Sequence, residues 1–203
     1  MTGYDKLDEL LKRENGIIRV RTARKHGIHH SYIQNYENMG KIERVSRGIY
    51  IAADTMEDKM YILNLQRNKI VYSHETALFL HGLTDRDPLS YDVTVPTGYN
   101  TKNLINEGIT VYSIQSDLYS LGKTEVKTLF GNKVRCYNLE RTICDILRSR
   151  NKADKSVMLD AIKRYSRLKE KNLNRLMKYA EEFNIKRIVK TYMEVLLWKI
   201  PCS

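Results

Sequence analysis

Cysteine is scarce in this sequence. Cys136, Cys144 and Cys202 make an odd count with no C-x-x-C spacing, which argues against a disulfide framework and against a zinc site, so no metal is expected. No apolar run approaches the roughly 18 to 20 residues of a membrane span. The opening MTGYDKLDELL carries acids instead of a basic stretch followed by an apolar one, so the chain is expected to stay in the cytoplasm. Gly-x-Ser-x-Gly, Walker-type and other glycine-rich phosphate loops are missing, and no nucleotide cofactor is expected. The Gly-Ser followed by spaced aspartates that marks nucleotidyltransferases is missing too. Acidic residues are under-represented, with 24 against 35 Lys and Arg for a net charge of +11.

What is present is the composition of a globular protein, 42% hydrophobic and 29% charged over 203 residues, enough for one ordinary domain and a small module. The charge is unevenly placed. Residues 1–52 hold 10 basic and 6 acidic side chains, residues 53–147 hold 10 and 12, and residues 148–203 hold 15 and 6. Basic ends around a near-neutral middle suggest a polyanionic partner, although a solvated basic helix face gives the same statistics.

Leu7, Leu10 and Leu11 at helical spacing predict a helix over 4–13, stopped at Asn15-Gly16. Thr22 is positioned to cap a short helix from Ala23 to His26. Gly27 supplies a turn, and a second helix is expected from about His29 to Met39, ending at Gly40. This is helix-turn-helix spacing. With Ile28, Ile33 and Tyr36 facing inward, His30, Ser31, Gln34 and Asn35, with Asn38 below them, are expected on the outward face. Gln and Asn suit adenine, and Ser and His suit bases or phosphate. No acid lies between Glu14 and Glu37, whereas Arg19, Arg21, Arg24 and Lys25 all do, the composition that phosphate contacts require. KIERVSRGIYIA then reads as a hairpin with Arg47 at its tip, Lys41 and Arg44 projecting, and Ile42, Val45, Ile49 and Ile51 turned to the core. The order is that of a winged helix-turn-helix.

From residue 55 the pattern changes. Thr55 with Asp58 three residues on predicts a capped helix carrying Met56, Met60, Leu63 and Leu65. Ile70 to Tyr72 reads as a short strand, Ser73 as a cap, and ETALFLHG as a brief helix. YDVTVP, ITVYSI, TEVKTLF and KVRCY follow as strands, with Gly131-Asn132 as the hairpin turn between the last two. Asn138 caps a helix through Leu147, and helical patterns over Val157–Tyr165, Leu173–Phe183 and Ile185–Trp198 complete the chain. The expected fold is α+β: a winged helix-turn-helix over 1–53 and a mixed α+β domain ending in helices over 54–203.

The joint order of GKIERVSRGIYIA, YSHETALFLHGLTDRDP, YDVTVP and NLERTICDILR resembles the AbiE-type antitoxins (AbiEi family) over most of the chain from about residue 5 to 150. These are transcriptional regulators of bacterial type IV toxin-antitoxin operons that act in abortive phage infection. The resemblance implies a winged helix that binds inverted repeats in double-stranded DNA of its own promoter, acting as an autorepressor. It further implies a C-terminal antitoxin domain that counters a co-transcribed nucleotidyltransferase toxin without forming a stable complex with it. It implies no enzyme activity, and it points to a domain for the antitoxin function without pointing to a site.

Two other readings stand beside it. Asp92 on one strand with Glu125 and Lys127 on another is similar to the acids and lysine of metal-dependent nucleases, although alternating polar residues on a half-exposed strand give the same pattern. A helix-turn-helix can also serve as a protein interface. His74, Glu75 and His81 lack metal-ligand spacing, and structural roles are expected for them. The cations Lys163, Arg164, Arg167, Lys169, Lys171, Lys186, Arg187 and Lys190 could meet flanking DNA, an RNA, or solvent only.

Overall fold

Helix α1 (Gly3–Arg13) starts with a reciprocal cap in which the Thr2 hydroxyl accepts from the Asp5 amide and the Asp5 carboxylate accepts from the Thr2 amide. Asn15 and Gly16, both at positive φ, then turn the chain. The computed structural model describes residues 2–151 and 154–197, so Trp198 and Cys202 lie outside the described residues. β1 (Ile17–Arg19), α2 (Val20–Lys25), α3 (His30–Asn38), β2 (Ile42–Ser46), β3 (Ile49–Ala52) and α4 (Lys59–Gln66) follow.

β1 has no counterpart among the elements read from sequence. It is three residues long and runs straight into a helix, too short for alternation to register, and it exists by antiparallel pairing of Ile17 with Ile51 and Arg19 with Ile49. The sheet order β1-β3-β2 puts β3 in the centre, which is why IYIA is apolar throughout. Ile18, Tyr50 and Ile42 face a core shared with Leu7, Leu10, Ala23, Ile28, Ile33 and Tyr36. Ile17, Ile49 and Ile51 pack on the opposite side with Ile62 and the part-buried Val45. The hairpin is therefore anchored on both faces.

Two helix starts differ from expectation. α2 begins at Val20 with Arg19 at its N-cap, and Thr22 lies inside it. The strand delivers the chain directly into the helix, and the free Val20 amide donates to the Gly48 carbonyl at 2.9 Å, so no side-chain cap is needed. α4 begins at Lys59 and not at Thr55. Asp58 caps it, accepting from the Tyr61 amide at 2.9 Å, while Thr55 closes a turn on Ala52.

Next come β4 (Val71–Tyr72), α5 (His74–Leu80), β5 (Asp92–Pro96), α6 (Lys102–Asn106), β6 (Thr110–Ile114), α7 (Ser116–Ser120), β7 (Lys123–Lys127), β8 (Lys133–Tyr137), α8 (Leu139–Arg148), α9 (Lys155–Arg167), α10 (Leu173–Glu182) and α11 (Lys186–Leu197). The strands form a mixed sheet of order β6-β5-β4-β8-β7. The Gly131-Asn132 pair does not form a two-residue turn. Residues 128–132 make a wider loop closed by Thr128 N–H on the Asn132 carbonyl at 2.8 Å, and the Thr128 hydroxyl and Asn132 amide also donate to Asp58 at 2.6 and 2.8 Å. The chain divides into two units, one formed by the chain up to Gln66 with Thr128–Asn132, the other by Arg67–Lys127 and the chain from Lys133 onward.

The NLERTICDILR segment is the hub of the second unit. Arg141 is fully buried. Its Nε donates to Asp145 at 3.0 Å and its Nη1 to the carbonyls of Leu118 and Leu121 at 2.6 and 2.8 Å, with Tyr137 and Phe183 against its guanidinium plane. Buried Glu140 accepts from the Tyr165 hydroxyl, the Asn172 amide and Arg175. One polar turn of α8 thereby fixes α7, α9 and α10, and the apolar side of α8 joins Ile162, Leu176 and Val189 in the largest core.

Candidate nucleic-acid interface

Between α2 and α3 the chain turns through Gly27, at φ +69°, a left-handed conformation that glycine adopts without a Cβ penalty. Ala23 is fully buried at the helix crossing. His26 staples the turn to α1: its Nδ1 donates to the Thr22 carbonyl at 2.9 Å, which leaves Nε2 to accept from Arg13 at 2.8 Å.

Ile33 and Tyr36 seat α3 on the core, and Tyr36 is further tied by its hydroxyl to Asp8 at 3.0 Å. Burial and that carboxylate push the phenol up to about 12. The outward face of α3 is narrower than the sequence pattern suggests. Ser31, Gln34 and Asn38 are exposed. His30 is half-buried, and its Nδ1 is enclosed without a hydrogen-bond partner. Asn35 is exposed but its amide donates to the Tyr4 hydroxyl at 2.9 Å, inside a cluster in which Tyr4 packs on Tyr32 and Tyr36.

The hairpin that follows turns at Arg47-Gly48, with Gly48 at φ +72°. A bulge between Arg44 and Ser46 breaks the register and twists the strand, so that Arg44 Nε reaches the Ser46 carbonyl at 3.3 Å. Arg19, Arg21, Arg24, Lys25, Arg44 and Arg47 are all exposed, and among the described residues none of them is in a salt bridge. Lys41 differs: its ammonium lies 4.6 Å from the Tyr36 ring centroid. The unit thus carries six uncompensated cations on β1, α2 and the hairpin, beside a helix that presents uncharged hydrogen-bonding side chains.

The nuclease constellation is not assembled. Asp92 lies on β5 and Glu125 and Lys127 on β7, with β4 and β8 between them, an offset of about 14 Å at the usual strand spacing. No group of three or more His, Cys, Asp or Glu among the described residues is arranged to hold a metal. Asp92 instead lines a cavity of about 560 Å³ with His74, Glu75, Tyr112 and Ser149. Its carboxylate accepts from the Glu75 amide at 3.0 Å, and burial raises its pKa to about 6. His74 lies between Ser73 and Ser149, at 3.0 and 3.1 Å, and stacks on Tyr112. Burial, with Arg148 and Arg141 nearby, lowers its pKa to about 3. An imidazole so weakly basic is uncharged at neutral pH. His81 donates to the Tyr137 carbonyl at 2.7 Å. Among the described residues, no helix is long and apolar enough to cross a membrane.

Element order and side-chain placement define the first unit as a winged helix-turn-helix, the fold class of many DNA-binding regulators. Residues 5–53 match the family model described as transcriptional regulator, AbiEi antitoxin, which supports an AbiEi-type antitoxin and, with it, a DNA-binding regulator. The crystal structure of the RV2827C protein from Mycobacterium tuberculosis is similar at a TM-score of 0.56 and 11% identity, over 100% of this chain and 83% of that one. At that identity the likeness is one of fold. No curated protein matches the sequence.

Proposed function

We propose that this protein is a DNA-binding autorepressor and antitoxin of a type IV system, reading inverted repeats in its own promoter with α3 and gripping the phosphates with the hairpin. The observation that carries this is the set of six exposed cations on β1, α2 and the hairpin that lie in no salt bridge among the described residues, in the same unit as α3 and within the segment that matches AbiEi regulators. In this reading residues 1–53 bind DNA, the remainder neutralises a co-encoded nucleotidyltransferase toxin, and the chain itself is not an enzyme.

Electrophoretic or anisotropy titration against duplex DNA from upstream of the gene tests the first half. Arg47→Ala and Arg44→Ala are expected to weaken binding and to lower the salt slope by about one each, whereas Gln34→Ala is expected to cost discrimination against scrambled duplex. Equal affinity of the wild type for operator and scrambled DNA would count against specific repression. For the second half, the full chain carrying Arg44→Ala and Arg47→Ala should still rescue cells that express the toxin. Loss of rescue in a folded variant would mean that toxin control runs through DNA binding.

A further inference from the structure

α3 begins without the Ser, Thr, Asp or Asn that usually caps a helix. His29 takes that place: its Nδ1 accepts from the Ser31 backbone amide at 3.3 Å and lies 2.9 Å from Ser31 Oγ. A backbone N–H only donates, so Nδ1 offers a lone pair and the proton of the neutral imidazole sits on Nε2. The Ser31 contact then has a fixed polarity as well. Its hydroxyl donates to Nδ1, and its oxygen keeps lone pairs for an outside donor. A serine on an open helix face rotates its hydroxyl and can donate or accept; this one is held as an acceptor.

Ser31 is exposed in the first turn of α3, where a recognition helix approaches base edges. We propose that His29 makes Ser31 a one-way reader that accepts from the exocyclic amine of adenine or cytosine in the major groove. Guanine and thymine present a carbonyl oxygen in the corresponding place, and two acceptors repel. The exposed His29 Nε2–H is left to donate to a phosphate oxygen at the helix start. His29 is thus a positioning residue acting through Ser31. The inference rests on the DNA-binding reading above.

Selection of duplexes from a randomised pool by the full chain tests it, with wild type, Ser31→Ala, His29→Asn and His29→Phe in parallel. The relevant base position is the one at which Ser31→Ala loses its preference. Wild type is expected to hold adenine or cytosine there, roughly three- to ten-fold over guanine or thymine in competition. His29→Asn should keep that preference, because a carboxamide oxygen accepts the same two protons. His29→Phe should lose it, since the freed hydroxyl can turn and donate to a carbonyl, while the rest of the selected motif stays. Guanine or thymine at that position in the wild type, or a motif untouched by Ser31→Ala or by His29→Phe, would overturn the inference while leaving DNA binding intact. If His29→Phe does not fold by circular dichroism, His29→Ala, which also removes the Nδ1 acceptor, takes its place with the same expected loss of preference. No enriched sequence with the wild type would overturn the DNA-binding reading and this inference together.

Discussion

His74 and Asp92 line one cavity, and burial moves both toward their neutral forms. His74 titrates near 3 in the folded chain against about 6.5 unfolded, so the unfolded state binds the extra proton as pH falls. Its contribution is complete above pH 6.5 and is lost progressively down to pH 3, about 5 kcal/mol in all. Asp92 runs the other way. Its folded value of about 6 means that the native state holds the proton longer, and stability falls as pH rises from about 4 to 6, by about 3 kcal/mol. Asp92→Asn is therefore expected to be more stable than wild type at pH 7.5 and to lose that advantage by pH 4, in denaturant titrations at the two pH values. His74→Asn should flatten the loss between pH 6.5 and 3. Asparagine also tolerates the left-handed backbone at this position, φ +47°.

At the scale of elements, α8 is held by Arg141 as well as by its apolar residues. Arg141→Met would strand two carbonyls and leave the Asp145 carboxylate, 2% exposed, with the Arg148 guanidinium at 3.6 Å in place of a hydrogen bond at 3.0 Å, and should cost about 3 to 5 kcal/mol in chemical denaturation. The double variant Arg141→Met with Asp145→Leu should recover part of that loss, because the buried carboxylate that lost its closest partner is gone. Helices like α8 are legible in the sequence: Leu139, Ile143, Ile146 and Leu147 define a stripe, and Asn138 caps it, accepting from the Arg141 amide at 3.0 Å. β1, α6 and α7 are not legible, since three to five residues do not complete a period and their existence depends on pairing and packing partners distant in sequence. The polar face of α3 is legible in outline only. Ile33 and Tyr36 fix the middle of the buried stripe but not its edge, and His30, three residues before Ile33, falls on the buried side. Asn35 looks free until folding brings Tyr4 beside it. No periodicity would have revealed His29 as a cap, because histidine is not a usual one.

Across the whole molecule, the charge of the C-terminal region overstates what is available to a polyanion. Arg164 is held by Asp85 and Asp160, Arg175 by Glu140, Lys186 by Glu181 and Lys190 by Glu194. In the first unit six exposed cations on β1, α2 and the hairpin lie in no salt bridge among the described residues, within the segment that matches a transcriptional-regulator family. If those six meet phosphates, the slope of log K against log salt is about −5 per bound copy, and two copies on an inverted repeat double it. Full-length protein titrated against a single half-site between 50 and 200 mM salt should give that slope. Lys163→Gln with Arg167→Gln should leave it unchanged, because α9 contributes no contact in this reading. A fall of about two in the slope of that variant would assign the basic helices of the second unit to DNA as well. In that case the operator would have to extend beyond the bases read by α3.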